Sequence, residues 1–398
     1  MISDKRQIVA CGNFDVIVVG GGIAGVSAAV ASARKDMKVL LIEKGVNLGG
    51  LATSGLISWY EPLCDGNGTQ VIGGIAEELI KLSGKYGFDN LPKQWGGTEF
   101  NRKHTDRYST YYSPTIFTLA LDEYVETAGV KLRFDTYAVY PVVDDGICNG
   151  VICESINGRE FFGAKVVIDA TGDASVADRA GIPTVVGENY MTYISHYFTK
   201  EIADTYSENG DICKFRRWKL CGSDLWGNGH PENLRKLTGV TTEDITDYVI
   251  AGKRAMLEFV KQHDRNEIDI VALPTMAQFR TIRRIVGEAD FNAIDGEKFA
   301  DSIGCCSDFR NLKGHKFQIP YRALYNKRVK NLLAAGRIIS APQGDGWEVS
   351  RVIPVCAMTG QVAGLAAAVA VKNDCTIDKI DINILQNMLI DDGVKIHY

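Results

Sequence analysis

Asp15-Val-Ile-Val-Val-Gly-Gly-Gly-Ile-Ala-Gly-Val-Ser-Ala-Ala29 constrains this chain more than any other stretch. Val16 to Val19 read as a short buried strand, and Gly20, Gly22 and Gly25 follow as G-x-G-x-x-G. A small-residue helix then runs on through Ala28, Ala29 and Ala33. The first glycine permits a tight turn, the second lets backbone approach a pyrophosphate, and the third lets helix pack on strand. The helix N-terminus presents free N–H groups and a positive dipole end to phosphates. A second apolar strand, Val39 to Ile42, ends at Glu43, 18 residues beyond Gly25. That is where an acid bonding ribose hydroxyls belongs. With all parts in register, this is a nucleotide-binding βαβ unit rather than an ordinary glycine-rich turn.

A chain of 398 residues can bury a sizeable core and divide into two intertwined domains. Its net charge of −5 argues against a nucleic-acid binder, whose domains are usually basic. No run reaches the roughly 18 apolar residues of a membrane span; Val362 to Val371 is alanine-rich and shorter. Met1 to Asn13 lacks a signal-peptide pattern, so a cytoplasmic protein is expected. The ten cysteines lack C-x-x-C spacing and read as reduced core thiols, the adjacent Cys305 and Cys306 included. No His, Cys and Asp cluster has metal-ligand spacing, so no metal is expected.

After Glu43, the loop from Lys44 to Gly55 is rich in glycines and hydroxyls, suited to close backbone contact with a cofactor. Helical periodicity marks 74–86, and 114–128 with Pro114 near its start. Between them, 88–112 holds Trp95, Arg102, His104, Arg107 and three tyrosines without clear periodicity. Short strands near 131, 138, 149 and 160 form a meander with turns at Asp145-Gly146 and Asn157-Gly158. Ala164 to Asp173 then returns an apolar strand to the first sheet. From Ile182 to Arg328 the character changes: a strand at 193–198, then a helix from Thr241 to about His263. That helix shows Ile245, Val249, Met256, Phe259 and Val260 on one side. The strand at Asn331 to Arg337 and a helix from Cys356 to Lys372 bring the chain home.

Four motifs now stand in order: Gly20–Gly25 with Glu43, Gly49-Gly50, Ala170-Thr-Gly-Asp173, and Leu333 to Arg337 through Gly360-Gln361. With Arg283-Arg-Ile-Val-Gly-Glu288, they resemble the broad bacterial family of FAD-dependent oxidoreductases with a glutathione-reductase-type Rossmann fold. Fumarate reductases and GidA-type tRNA-modifying flavoproteins are more distant relatives. The resemblance implies an α/β fold: a FAD-binding Rossmann-type parallel sheet with a β-meander and an inserted α+β substrate domain. The FAD-binding domain would take 1–181 and 329–398, and the inserted domain 182–328, with 88–112 as a contribution to a lid.

By the same resemblance, Gly20, Gly22 and Gly25, with Ile23 and Ala24 between them, would wrap the pyrophosphate of non-covalent FAD. Glu43 and Lys44 would meet the adenosine ribose, and the Val139 backbone the adenine. Gly49, Gly50, Leu51, Thr53 and Ser54 would line the pyrophosphate and ribityl chain. Ala170, Thr171, Gly172 and Asp173 would pass the adenosine half, and Gly336 and Arg337 the ribityl side. Arg351, Gly360 and Gln361 would approach the isoalloxazine ring, where a helix N-terminus favours negative charge. No second G-x-G-x-x-G indicates an NAD(P)H domain, so the electron donor or acceptor is unassigned.

A flavin needs a substrate placed against N5 and one proton managed. Candidates for that work are Arg283, Glu348, Arg351, His196 and Tyr321. Each also has a structural alternative, such as a brace between Arg284 and Glu288 at helical spacing, or a histidine satisfied within an apolar strand. The reading is a dehydrogenase or double-bond reductase of a small organic molecule, with no nucleic acid, no membrane span and a homodimer as the assembly to test. An electron-transfer FAD subunit of a larger complex is the alternative, ahead of an RNA-modifying flavoprotein, which the acidic balance disfavours.

Overall fold

The computed structural model describes residues 7–97, 106–210, 212–214, 217–310, 312–342 and 344–398. Arg102 and His104 of the expected lid lie outside them. The chain opens with β1 (Val9–Val19), α1 (Ile23–Ala33) and β2 (Val39–Ile42), the βαβ unit read from its glycines. β1 is longer than expected because its exposed front half also pairs with a later strand. β3 (Trp59–Tyr60) and β4 (Thr110–Tyr111) pair across a long excursion that holds α2 (Ile75–Lys85). α3 (Pro114–Thr127) leads to β5 (Lys131–Arg133), and β6 (Tyr137–Asp144), β7 (Ile147–Ser155) and β8 (Gly158–Asp169) form the meander. The second hairpin turns one residue early, at Ile156-Asn157, with Gly158 at φ +90° entering β8.

α4 (Ser175–Arg179) and β9 (Thr184–Val186) lead into the middle region. There β10 (Thr192–Thr199), α5 (Lys200–Asn209), β11 (Arg217–Gly222), α6 (Thr242–Lys261), β12 (Ile268–Ala272) and β13 (Arg283–Ile285) follow in turn. The hairpin β14 (Ser302–Ser307) and β15 (Lys316–Pro320) precedes β16 (Leu332–Ala334), α7 (Asp345–Ser350), α8 (Ile353–Lys372) and α9 (Ile382–Asp391).

The main sheet runs β5-β2-β1-β8-β7-β6, with β16 also on β8. β5, β2, β1, β8 and β16 are mutually parallel, whereas β7 and β6 continue antiparallel. Register places Val19 level with Ile42 and Asp169, and Asp169 level with Ala334, so four strands deliver their C-terminal ends to one edge. Ligands of open α/β sheets bind at such an edge. The strands are apolar on both faces because α1 and α8 cover one side and a second cluster, with Ile182 and Ile338, covers the other.

α8 is the spine of this half. A Cβ on Gly360 would lie 2.1 Å from Ala24 O, and one on Gly364 2.3 Å from Ala28 O, so α8 and α1 touch backbone to backbone. α8 begins three residues before the expected Cys356. At 20 residues with mean hydropathy 1.6 it is long and apolar enough to cross a membrane, yet 94% of that window is buried inside the structure.

The middle region builds its own antiparallel sheet, β11-β10-β12, on a third core that includes Tyr193, Tyr248, Met256 and Phe279. α6 covers it with Asp244, Tyr248, Gly252 and Met256, an i, i+4 row. Of the apolar side expected, Met256 is buried and Val249 and Phe259 pack against this core, whereas Ile245 is 40% exposed. The row turns inward because the Tyr193 ring sits where a Cβ on Gly252 would be, and because Asp244 accepts bonds from the 238–239 turn. Within the stretch expected to be inserted, β14 and β15 pack instead with α8, and both Cys305 and Cys306 are buried there as free thiols.

Candidate cofactor and substrate site

Gly20 leaves β1 at φ +103°, and a Cβ on it would lie 2.5 Å from Ala170 O. A Cβ on Gly25 would lie 1.7 Å from Gly20 O, so strand, turn and helix meet without side chains. Gly22 is different: it caps α1 in an extended conformation, and a Cβ there would meet nothing within 4 Å. Protein packing therefore does not require glycine at 22; a group approaching the bare helix N-terminus does. Gly49 bonds Gly21 O through its N–H at 2.8 Å, and Gly50, at φ +56°, stacks on Gly22.

Glu43 holds this turn from the side, accepting from Gly21 N at 2.6 Å and Gly45 N at 2.7 Å. It lines a pocket with Val19, Gly20, Lys44, Thr136, Tyr137, Ala138, Thr171, Asp173 and Ser175. Buried Asp169 shapes the far wall: it accepts from Thr171 N and Oγ1 and from Ala177 N. Burial pushes its carboxyl up to about 6. Burial also acts upward on Asp173, but Lys44 and the hydroxyls of Ser175 and Thr171 outweigh it and lower its pKa. The residues present thus fit an adenosine diphosphate group along the open glycine edge. The expected contact at Val139 shifts by one: its carbonyl accepts from Arg179 Nη1 at 3.1 Å, and Ala138 lines the pocket instead.

From Gly50 the loop runs inward. Thr53 Oγ1 donates to Leu48 O, closing the loop on itself. Leu51 O accepts from Ile57 N at 3.0 Å, Ser54 O from Thr275 N at 3.0 Å, and Gly55 O from Gln278 Nε2 at 2.6 Å. The loop ends at buried Ser58, whose Oγ accepts from Trp218 Nε1 at 2.9 Å and lies 3.3 Å from His196 Nε2. His196 thus comes to the site from β10, and its ring lies nearly parallel to Trp218. Trp59 and Tyr111 complete an aromatic wall.

A polar group closes the other side. Arg351 Nε donates to Glu348 Oε2 at 3.1 Å, and both sit in the turn before α8. Glu61, just past β3, accepts from Ile353 N at 3.1 Å, the first amide of α8. Burial pushes its carboxyl up to about 7, against the Ile353 bond and the Arg351 charge. Arg337 is buried, donating to Gly172 O and Phe279 O at 2.6 Å, and Gly336 rests on Ala24. Among the described residues, no three His, Cys, Asp or Glu side chains gather to hold a metal.

Several expected residues are placed elsewhere. Arg283 is in a strand rather than a helix, β13, which pairs antiparallel with β9, and its guanidinium lies 2.8 Å from Asp178 of α4. For the same reason Arg284 does not brace Glu288; it lies 3.8 Å from Asp290 and over Trp347. Tyr321 is buried under α8, donating to Ile377 O at 2.8 Å. Gly360 serves the α1 contact, and Gln361 Oε1 accepts from Ile75 N at 2.8 Å, the N-terminus of α2. Ser58 and Glu61 were missed. Nothing in their spacing marks them, since each is made important by a partner far away in sequence.

Comparison with known proteins agrees with this geometry. The model of the family described as FAD dependent oxidoreductase matches residues 15–196 and 198–389. Thioredoxin reductase of Bacillus subtilis is 24% identical over 42% of this chain and 49% of its own. Digeranylgeranylglycerophospholipid reductase of Methanoculleus marisnigri is 27% identical over 48% and 46% respectively. The chain spans about half the length of these curated relatives. A geranylgeranyl bacteriochlorophyll reductase-like protein from Thermoplasma acidophilum aligns over 96% of this chain and 84% of its own, at 15% identity and TM-score 0.47. With the family model covering nearly all of a chain whose glycine edge fits a dinucleotide, the protein belongs to the FAD-dependent oxidoreductases, and its cofactor is FAD.

Proposed function

We propose that this enzyme moves a hydride between a small organic substrate and N5 of FAD, as a dehydrogenase or a double-bond reductase. One observation carries the reading: a single loop, Gly49 to Ser58, joins the glycine cradle at Gly22 to the His196–Ser58–Trp218 cluster. Bound FAD supplies the hydride position; the protein supplies orientation and the proton. Gly22, Gly49 and the first amides of α1 would hold the pyrophosphate, and Glu43 the ribose. Trp218 can only donate, so it fixes one lone pair of Ser58 Oγ. The remaining hydroxyl hydrogen and lone pair let Ser58 either give a proton to His196 Nε2 or accept one from it. His196 is therefore the residue to hold and return the substrate's proton, and the Glu348–Arg351 pair before α8 is the second candidate for that work.

The test is the visible spectrum of the purified protein during anaerobic titration with candidate substrates and with NADH. Bleaching by a small alcohol, amine or activated alkane supports a dehydrogenase, and bleaching by NADH followed by reoxidation with an enone supports a reductase. Bleaching by neither, with rapid electron exchange with a partner protein, would move the reading to an electron-transfer subunit. Exposed Trp226, 69% accessible beside Leu225, is the surface that subunit reading would use.

A further inference from the structure

The connection from β11 to α6 begins with a loop that folds on itself. The Asp224 carboxylate accepts from the amides of Trp226 and Asn228 and from the Asn228 side chain, and Asp224 N donates to Asn228 O at 3.0 Å. Gly227, at φ +97°, lies against the Tyr190 ring, where a Cβ would come within 2.7 Å. These internal bonds make residues 223–230 one compact piece.

Met191, just before β10, holds both ends of that piece. Its carbonyl accepts from Ser223 N at 2.7 Å, and its N–H donates to His230 Nδ1 at 3.0 Å. The first end has further ties, Thr192 Oγ1 to Ser223 O at 2.9 Å and Arg280 Nη1 to Asp224 O at 3.0 Å. The second end has none. Among the described residues, the Met191–His230 bond is the one hydrogen bond between residues 225–234 and the chain beyond the loop. The chain is fixed again at Leu234, which packs on the third core. The loop leaves the small sheet at the Thr192–Gly222 rung, two rungs of the same register beyond Ile194–Leu220 and His196–Trp218 in turn.

The partners of the His230 ring fix its protons. A backbone N–H only donates, so Nδ1 is bare and accepts. Nε2 lies 2.8 Å from Leu234 O, which only accepts, so Nε2 carries the proton. The clasped ring is therefore neutral. A second proton would go to Nδ1 and point at the Met191 N–H, donor against donor. Around the ring stand Tyr190, edge-on with centroids 5.3 Å apart, and Lys236, 4.9 Å from the Tyr190 centroid. Glu188 lies 3.5 Å from the Lys236 ammonium, and the Asp224 carboxylate is turned to its own loop. Among the described residues, no carboxylate pairs with His230 to hold its charged form.

We propose that His230 is a proton-sensitive clasp: neutral, it ties the far end of the loop to Met191, and protonated, it lets go. The loop then swings on its Ser223–Asp224 end, as a flap at the edge of the sheet that carries His196 and Trp218, with exposed Trp226 at its tip. Imidazoles as a class change charge at about pH 6.5, so the clasp works in a physiological range. The device is independent of the substrate and of the direction of hydride transfer.

The experiment follows amide hydrogen exchange in the FAD-loaded protein by NMR between about pH 8 and about pH 5, corrected for intrinsic exchange rates. Protection of the Met191 amide should fall by about tenfold or more across that range, while the Ser223 amide, held by a carbonyl, keeps its protection. H230N offers an amide oxygen in place of Nδ1 and does not titrate, so Met191 should stay protected at every pH. H230F removes the acceptor and should leave Met191 unprotected throughout. Constant protection of Met191 in the wild type would overturn the proposal. So would the same fall in H230N, which would trace it to another group, or wild-type protection in H230F.

Discussion

The two halves of the site are built from different materials. The nucleotide half is almost all backbone: Gly20, Gly22, Gly25, Gly49 and Gly50 leave amides uncovered, and one carboxylate, Glu43, braces them. The half proposed to meet the substrate is almost all side chain, drawn from Ser58, Glu61, His196, Trp218, Glu348 and Arg351. Backbone recognition has to be purchased with missing side chains, so it leaves a fixed spacing of glycines in one short stretch. Side-chain recognition leaves no spacing, because the residues flanking β3, the middle region and the turn before α8 contribute two each.

Four substitutions would break or sharpen that contrast. The largest effect is expected for Gly25→Ala: its Cβ would lie 1.7 Å from Gly20 O, so backbone must move. Loss of about 3 kcal/mol or more in urea unfolding, together with loss of FAD, is expected; a normal denaturation midpoint would mean the turn is softer than drawn. Next is Glu61→Gln. The folded carboxyl titrates near 7, above the ordinary glutamate value, so the folded state binds the extra proton. The wild type should therefore be favoured at low pH and lose stability as pH rises from about 4.5 towards 7, whereas the glutamine does not titrate. Between about pH 5 and about pH 8 the variant should gain on the order of 3 kcal/mol relative to wild type. A constant gap between the two across that range would refute the buried, proton-binding carboxyl.

Gln361→Leu sets the packing role against the flavin contact implied by resemblance. It would strand the buried Ile75 N–H, and about 2 kcal/mol should be lost with FAD affinity unaltered. A fall in FAD affinity without loss of stability would restore the flavin contact. Gly22→Ala should be the mildest, because the position is extended and its Cβ enters open space. Stability should change by less than about 0.5 kcal/mol, while FAD binding measured by fluorescence weakens by about tenfold. Unchanged affinity would place the pyrophosphate elsewhere.

This contrast also explains what could be read in advance. The βαβ unit, the meander and the return strand at Leu332–Ala334 follow from apolar runs bounded by glycines, and all were legible. Arg283 and Tyr321 looked chemical because of their residue types, and the structure gives each a packing role, one in a strand pair and one through a buried hydroxyl partner. On α6 the expected Val249, Met256 and Phe259 do pack inward, but Ile245 does not, because Asp244 and Gly252 take part of that face through the 238–239 turn and the Tyr193 ring, which hydrophobicity alone does not see. His196 was legible as a candidate; its partners were not, since Ser58 and Trp218 stand 138 and 22 positions away.

The position of α8 has a consequence for how the protein comes into being. The helix that closes over α1 and seats the end of the site leaves the ribosome long after α1 itself. Until Ile353 and its followers emerge, the nucleotide-binding unit made before them exposes the face that Gly360 and Gly364 later cover. During that interval the cell holds an open apolar sheet and helix, the kind of surface that chaperones bind and that aggregates capture. Cofactor loading thus waits on the arrival of α8, and a chain stopped shortly before it would keep that apolar face uncovered.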